Sequence, residues 1–382
     1  MILHILDEEK FLKKAIQIFN DILPKDNVYL IGVNNKKSEI FHERIQLDNM
    51  FYVETGSSRY KRVFQEYAER ADIIFFHNLY KSYKLNLYSL IPNNTKNVWY
   101  LWGAEIYGLN PRINNILPLT QKAYNSNLPL LKLLRKRVLS KIKKNYEWHL
   151  FKKILTNKID YVLTNISEDI DLLESYIPNG TSKGWFTYFS FSEQNFEDRI
   201  VLKRNNILIG NSSSETNNHI DTFELIRGKD ISQRKVYVPL SYGDEEYKRV
   251  VISEGRRLFK DKMVPLTEFL HLDEYNSIIN GCSILIMNHK RQQAFNTIMM
   301  AIAAGCKVFL RDENTIYSCL KREGFLVFSV QKDFGGEDAM NPLTEKEMLR
   351  NISLCQQLYK YSTVKSRIKQ QILSILDEQD KT

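Results

Sequence analysis

Short apolar runs rich in Ile, Val, Tyr and Phe alternate with polar, helix-forming stretches along this chain, and they do so in two separate series. The first series reads ILHIL, VYLIGV, ADIIFFHNL, NVWYLWG and YVLTN; the second reads NILIGN, KVYVPL, SILIMNH, KVFLR and FLVFSV. Runs of this length, separated by helical stretches, predict α/β units with parallel sheets. After Tyr188 the text turns aromatic and polar (FSFSEQNFEDRIVLKRN), which puts a domain boundary near residues 185 to 203. We therefore expect a Rossmann-like doubly wound lobe over 1–190, a second over 204–345, and helices over 346–382, where apolar positions recur at helical spacing. The length of 382 residues suits two domains. Ligands of open α/β sheets bind beyond the carboxyl ends of the strands, so residues just after each run are where chemistry is sought.

Three such places stand out in the second lobe. In ILIGNSSSETNNHI a strand runs straight into Gly210, Asn211 and Ser212, with Asn217 and Asn218 leading into a helix near His219. Glycine allows close backbone approach to an anion, and hydroxyls, amides and helix N-terminal N–H groups can donate to phosphate oxygens. The same residue types also serve as ordinary helix caps. KVYVPLSYGDEEY ends a strand at Pro239 and puts Tyr242 on the following loop, where a plain βα turn would look the same. The strongest signal is SILIMNHKRQQAFNTIMMAIAAGCKVFLR, where Arg291, Gln292, Gln293, Asn296 and Thr297 crowd the junction of a buried strand and a small-residue helix. A buried helix needs no such polarity in its first turn. An arginine can grip a diphosphate bidentately, and amides and hydroxyls suit sugar hydroxyls.

In the first lobe, NVWYLWGAEIYG places Glu105 just past a strand, and ADIIFFHNL places His77 at the end of another; either is a candidate general base. His4 and Asp7, after the first strand, are weaker candidates. Asp169 and Asp171 spell D-x-D, but two residues apart on a helix do not face together, and we read them as capping charge rather than metal ligands. The four cysteines lack CxxC spacing and read as buried thiols, with neither a zinc site nor a disulfide framework indicated. No metal and no cofactor are expected.

Charge narrows the partner. There are 54 Lys and Arg against 45 Asp and Glu, a net charge of +9, which asks for an anionic partner such as nucleic acid, anionic lipid or a phosphorylated small molecule. Between Leu131 and Lys153 nine Lys or Arg face one Glu, while Leu131, Leu134, Val138, Ile142 and Tyr146 form one helical stripe. Such a basic amphipathic helix can lie at a membrane interface, its Lys136, Arg137, Lys143 and Lys144 drawn to headgroups or to a lipid diphosphate. Equally, the stripe can pack on a sheet. The chain opens without a signal-peptide pattern and has no apolar run long enough to cross a bilayer, so a cytoplasmic protein is expected.

Taken together, Gly210-Asn211-Ser212, Asn217-Asn218-His219, Val238-Pro239 with Tyr242, Arg291-Gln292-Gln293, Ala304-Gly305, Glu313-Asn314 and LWGAEIY resemble glycosyltransferase family 56, the lipid II N-acetylfucosaminyltransferases of enterobacterial common antigen synthesis. The resemblance covers nearly the whole chain. It implies a GT-B fold with two lobes facing a central cleft, a dTDP-linked 4-acetamido-4,6-dideoxygalactose donor, a polyprenyl-diphosphate-linked acceptor, and peripheral attachment to the cytoplasmic face of the bacterial inner membrane. Glu105 departs from the Asp expected after LWG-A, and Ser213-Ser214-Glu215 also departs. The expected mechanism has Asn211, Ser212 and Arg291 hold the diphosphate, Gln292, Gln293 and Asn296 lie near the donor sugar, and Glu105 or His77 take the acceptor proton. The alternatives are an epimerase-like enzyme on the same scaffold with a soluble substrate, and a nucleic-acid-binding protein, for which no reading motif is present.

Overall fold

The structure, a computed structural model, describes residues 1–9, 11–34, 45–126, 130–192 and 205–378; in the helix Leu130–Lys158 the side chains of 130–138, 140 and 141 are not described. The described chain separates into two compact units, one comprising Met1–Arg112, Ser140–Ser190 and Tyr361–Thr382, the other Ile113–Leu139 and Phe191–Lys360. One break falls between Ser190 and Phe191, while the others depart from a division at 190 and 346 alone. Residues 113–139 cluster with the second unit, and the C-terminal helices are split, Glu345–Tyr359 going with the second unit and Tyr361–Asp377 with the first.

Unit 1 is built on seven strands: β1 (Ile2–Asp7), β2 (Asn27–Val33), β3 (Met50–Glu54), β4 (Ile73–Phe76), β5 (Lys96–Tyr100), β6 (Tyr161–Thr164) and β7 (Ser182–Trp185). Their order is β3-β2-β1-β4-β5-β6-β7, and every pairing is parallel. The central strands are buried along their whole length, as expected when helices cover both faces of a sheet. One face packs Phe19, Phe75 and Phe186 with Val364, Ile368, Ile372 and Ile375 of the helix Tyr361–Asp377.

Unit 2 repeats the topology with six strands: β8 (Asn206–Ile209), β9 (Val236–Pro239), β10 (Met263–Leu266), β11 (Cys282–Met287), β12 (Lys307–Leu310) and β13 (Phe328–Ser329), in the order β10-β9-β8-β11-β12-β13, all parallel. Its core includes Ile207, Ile209, Val236, Val238, Ile284, Ile286 and Phe309. The helix Pro118–Ser126 is held on this unit: Leu119 and Thr120 N–H groups donate to the Asp221 carboxylate at 3.2 and 2.8 Å, and the Tyr124 hydroxyl donates to Asp244 at 2.7 Å.

In both sheets the strand order reverses beside the first strand of the unit, so crevices open at the carboxyl ends of β1 and β4 and of β8 and β11. All four cysteines are buried thiols.

Candidate functional site

At the carboxyl end of β8 the chain turns at Gly210, whose φ of +66° is the left-handed conformation that glycine adopts without cost. A Cβ there would lie 2.7 Å from His219 Nε2 and 2.8 Å from Asn217 Oδ1, so the position also needs the missing side chain. The Asn211 N–H donates to Asn217 Oδ1 at 2.8 Å, which closes the turn. Asn211 Nδ2 donates to the Tyr242 hydroxyl at 2.9 Å, and Gln293 Nε2 donates to Asn211 Oδ1 at 2.9 Å. Three loops, after β8, β9 and β11, are thereby joined through one asparagine side chain. Burial raises the Tyr242 phenol, and Asn211, Ser212 and the Arg291 charge act against it, so Arg291 belongs to the same group.

At the carboxyl end of β11 come Asn288 and His289, both buried. His289 Nε2 sits 2.8 Å from Asn217 Oδ1; the amide oxygen can only accept, so the ring donates there and its Nδ1 is left as an acceptor without a partner. Burial and then the Arg291 charge hold this histidine well below its ordinary pKa and therefore neutral. His219 is held down to about 3 by burial alone. Its Nδ1 lies 3.1 Å from the Tyr247 hydroxyl and its Nε2 has no partner.

The helix Phe295–Ala303 follows, preceded by Ala294 in a left-handed conformation at φ +62° with no side-chain cap. The N–H groups of its first turn are thus not capped by a side chain of the preceding residue, which is the usual preparation for an anion. Arg291, Gln292, Gln293, Asn296 and Thr297 are all half-buried around this start. Asn314 fixes the preceding loop, donating to the carbonyls of His289 and Arg291 at 3.2 and 2.9 Å.

The structure brings together Gly210, Asn211, Ser212, Tyr242, Arg291 and Gln293, but it changes the work of several. Asn217 is fully buried, its oxygen taken by Asn211 and His289 and its nitrogen given to Ser212 and Ser214, so it shapes the turn and has nothing left for a donor molecule. Asn218 is likewise spent: its amide donates to the carbonyls of Asn115, Thr216 and Asn288 and its oxygen accepts the Leu117 N–H. Gln293 bridges Asn211 and the Thr216 hydroxyl. Thr297 is a hydrogen-bond partner of Tyr275. His289 opens the run of polar residues that the sequence shows after β11, and it joins the site through Asn217 although the sequence alone assigns it no role there.

In unit 1, Glu105 lies in a π-helical turn, Glu105–Leu109, and is fully buried. Its Oε1 accepts the Leu79 N–H at 2.9 Å and the Trp99 indole N–H at 3.2 Å, while Oε2 has no partner. Burial raises its pKa above the ordinary 4.5 against these bonds and the Lys84 charge. A carboxyl so placed is a stronger base than a solvated one.

His77 must be reassigned. It is buried in a chain running Asn27, His4, His77, Tyr188: His4 Nε2 to Asn27 Oδ1 at 3.0 Å, His4 Nδ1 to His77 Nε2 at 2.9 Å, and His77 Nδ1 to the Tyr188 hydroxyl. Both ring nitrogens are engaged and burial holds the ring neutral, so no nitrogen remains for an incoming hydroxyl. Asp7 is paired with Lys84 at 2.8 Å and Lys81 at 3.0 Å, with the Tyr83 hydroxyl and Asn78 Nδ2 also donating to it. Burial pushes its carboxyl up, and the two ammonium groups more than reverse that. Asp169 does lie in the first turn of a helix, Ser167–Asp171, where it is buried and accepts the Tyr107 hydroxyl at 3.0 Å.

On the helix Leu130–Lys158, Leu139, Ile142 and Tyr146 are exposed, with Lys143 and the half-exposed Lys144 among them; the Lys136 and Arg137 side chains lie outside the described residues. The stripe is therefore not buried against a sheet at these positions. No described helix is long and apolar enough to cross a membrane.

Comparison with known proteins bears on these units. A family model described as 4-alpha-L-fucosyltransferase, glycosyl transferase group 56, matches residues 144–345. Among solved structures, HepE of Anabaena in complex with UDP and glucose superposes with a TM-score of 0.66 at 11% identity, over 98% of this chain and 100% of that one. Sucrose-phosphate synthase of Thermosynechococcus elongatus gives 0.68 at 8% identity, over 99% and 100%. An alpha,alpha-trehalose-phosphate synthase (UDP-forming) of Burkholderia vietnamiensis gives 0.60 at 9% identity, over 99% and 100%. The fold is that of the GT-B glycosyltransferases.

Proposed function

The chain belongs to glycosyl transferase group 56 and is a glycosyltransferase; on that premise we propose that it moves a 4-acetamido-4,6-dideoxyhexose from a dTDP-linked donor to a lipid-diphosphate-linked saccharide. The observation that carries the donor assignment is the start of the helix Phe295–Ala303, which has no side-chain cap and is flanked by Arg291 and the Gly210 turn. Backbone N–H groups and one guanidinium there can hold the diphosphate and take up the further negative charge that builds on it as it departs. The UDP and glucose bound by HepE support a nucleotide-sugar donor.

Asn211 and Tyr242, linked to each other, present short neutral groups beside that charge, a combination suited to a ribose or a sugar rather than to a second cation. His289 is neutral, so it adds no competing proton at the site. The acceptor is assigned to unit 1, where Glu105 takes the proton of the attacking hydroxyl on Oε2. A carboxyl with a raised pKa holds that proton more firmly, which favours transfer.

A lipid-linked acceptor places the enzyme at a membrane, and the exposed Ile142 and Tyr146 with Lys143 offer the apolar and cationic groups for it. The reading assigns the enzyme to the cytoplasmic face of the bacterial inner membrane. Calorimetric titration of dTDP, UDP and GDP into the purified protein, repeated on Arg291→Ala, tests the donor. Selective dTDP binding that weakens about tenfold or more in the variant supports the assignment, a loss of about 1.4 kcal/mol or more. No nucleotide binding, or equal binding by the variant, overturns it.

A further inference from the structure

Unit 2 carries a second opening on the side of its sheet where the helices His219–Ile226 and Pro118–Ser126 pack. It is a cavity of about 540 Å³ at the carboxyl ends of β11, β12 and β13, inside the roughly 300 to 1,000 Å³ of small-molecule sites. Leu117, Leu225, Val330 and Phe334 give it apolar walls. At the strand ends, Asn288 and Arg311 give it a polar edge. Asn288 is 1% exposed, and its Nδ2 has no partner within the protein, a donor whose burial costs free energy until something accepts from it.

The charges of the lining cancel. Asp221 and Glu224 stand against Lys229 and Arg311. Arg311 is already committed, to Glu313 through Nε at 3.1 Å and Nη2 at 3.0 Å and to Asn288 Oδ1 at 3.1 Å. Asp221 accepts two backbone N–H groups, and Glu224 pairs with Arg227 at 3.1 Å. Lys229 reaches only the Gly336 carbonyl, at 3.5 Å, and Asp221 offsets its charge, so the lining as a whole has no net charge to favour either a phosphate or an amine. What fits apolar walls with an unsatisfied amide donor on an otherwise neutral edge is a ring that shows carbon–hydrogen faces to one side and hydroxyl oxygens to the other.

We propose that this cavity binds a neutral pyranose, at a site separate from the turn at Gly210 and the helix start at Phe295. The ring rests on Leu225 and Phe334, and one of its oxygens accepts from Asn288 Nδ2. The sugar can be free or one unit of a saccharide chain, and the inference does not depend on which nucleotide the enzyme uses.

Saturation-transfer NMR on the full chain, with dTDP at saturating concentration, tests this with glucose, N-acetylglucosamine, their methyl glycosides and N,N′-diacetylchitobiose, and with glucose 6-phosphate and glucuronate as charged counterparts. Two variants fill the cavity: Leu225→Trp, at a half-exposed helix position, and Gly335→Tyr, where a Cβ meets no atom within 4 Å. Neutral sugars should bind, and both variants should weaken them about tenfold while dTDP affinity stays within about twofold. A disaccharide bound about tenfold better than either monosaccharide identifies a saccharide chain as the source; equal binding identifies a free sugar; either result supports the site. Absence of binding, binding that survives both variants, or preference for the charged sugars overturns it. Should dTDP itself fail to bind, the donor assignment falls and the sugar result still decides this one.

Discussion

The two sheets share one topology and end their central strands in opposite ways. In unit 1 the crevice beside β1 and β4 is closed by its own side chains: Asp7 is satisfied by Lys84, Lys81, Tyr83 and Asn78, and the Asn27, His4, His77, Tyr188 chain leaves no ring nitrogen over. In unit 2 the crevice beside β8 and β11 is lined, apart from Arg291, with neutral groups, two of which end in atoms without partners: His219 Nε2 and His289 Nδ1. A satisfied polar network stabilises and specifies a fold, whereas an unsatisfied one is tolerated where a ligand completes it. Topology thus locates both crevices, and hydrogen-bond accounting tells which of them is still waiting for a partner.

The comparison breaks first at Lys84. Lys84→Met leaves a buried carboxylate short of its main counter-charge, and a loss of about 3 to 5 kcal/mol is expected in urea unfolding. A loss under about 1 kcal/mol would mean that the unit 1 crevice is not the closed network described. Next is Gly210→Ala, which forces a left-handed alanine against His219 and Asn217; about 1 to 3 kcal/mol should be lost, together with nucleotide affinity. Retained affinity in that variant would show that the turn does not shape the donor site.

Glu105→Gln sharpens the comparison, because Glu105 Oε2 is a fully buried acceptor of unit 1 without a partner. A carboxyl whose folded pKa lies above 4.5 keeps its proton in the folded state while the unfolded chain releases it, so stability falls as pH rises from 4.5 through that higher value. The glutamine variant lacks this slope, and its stability relative to the parent should improve as the pH is taken from 4.5 to about 8. Transfer should drop about a hundredfold or more. A parallel pH dependence in the two proteins would remove Glu105 as a buried titrating group, and undiminished transfer would remove it as the base. The smallest change in stability, about 0.5 kcal/mol or less, is expected for Arg291→Ala, a half-buried residue whose effect should be read in nucleotide binding.

At the membrane, Lys143→Glu with Lys144→Glu should reduce sedimentation with anionic vesicles and leave neutral vesicles unaffected; unchanged sedimentation would sink that assignment.

Most of the central architecture is legible in the sequence because buried parallel strands are continuous apolar runs: ILHIL, VYLIGV and SILIMNH need no further help. The strands not anticipated are β3, β7 and β10, and all three are sheet edges. β7 reads Ser-Lys-Gly-Trp with its first two residues exposed, β3 buries only Val53, and β10 contains Pro265, which a central strand would not accept. Edge strands carry half the burial and so half the signal. The site was legible at the level of loops and less so at the level of roles. Gly210, Asn211 and Arg291 lie where polar residues after strands suggested, but nothing in the letters tells that Asn217 and Asn218 spend their hydrogen bonds within the protein while Asn288, a few residues from the RQQ segment, keeps one donor open. His77 and His289 look alike in sequence, each following a buried strand; only the third dimension puts Tyr188 and His4 around one and leaves Nδ1 of the other without a partner.

The helix Tyr361–Asp377 contributes Val364, Ile368, Ile372 and Ile375 to a core whose other members come from residues 2 to 188. During synthesis the wall of unit 1 is therefore missing until the whole of unit 2 has left the ribosome. The nascent first sheet must wait with an apolar face uncovered, while unit 2 can close as soon as residue 360 emerges. A stop codon at Lys360 would strip the earlier-made unit of this helix and spare the later one, so a late break in the chain is felt in the part made first.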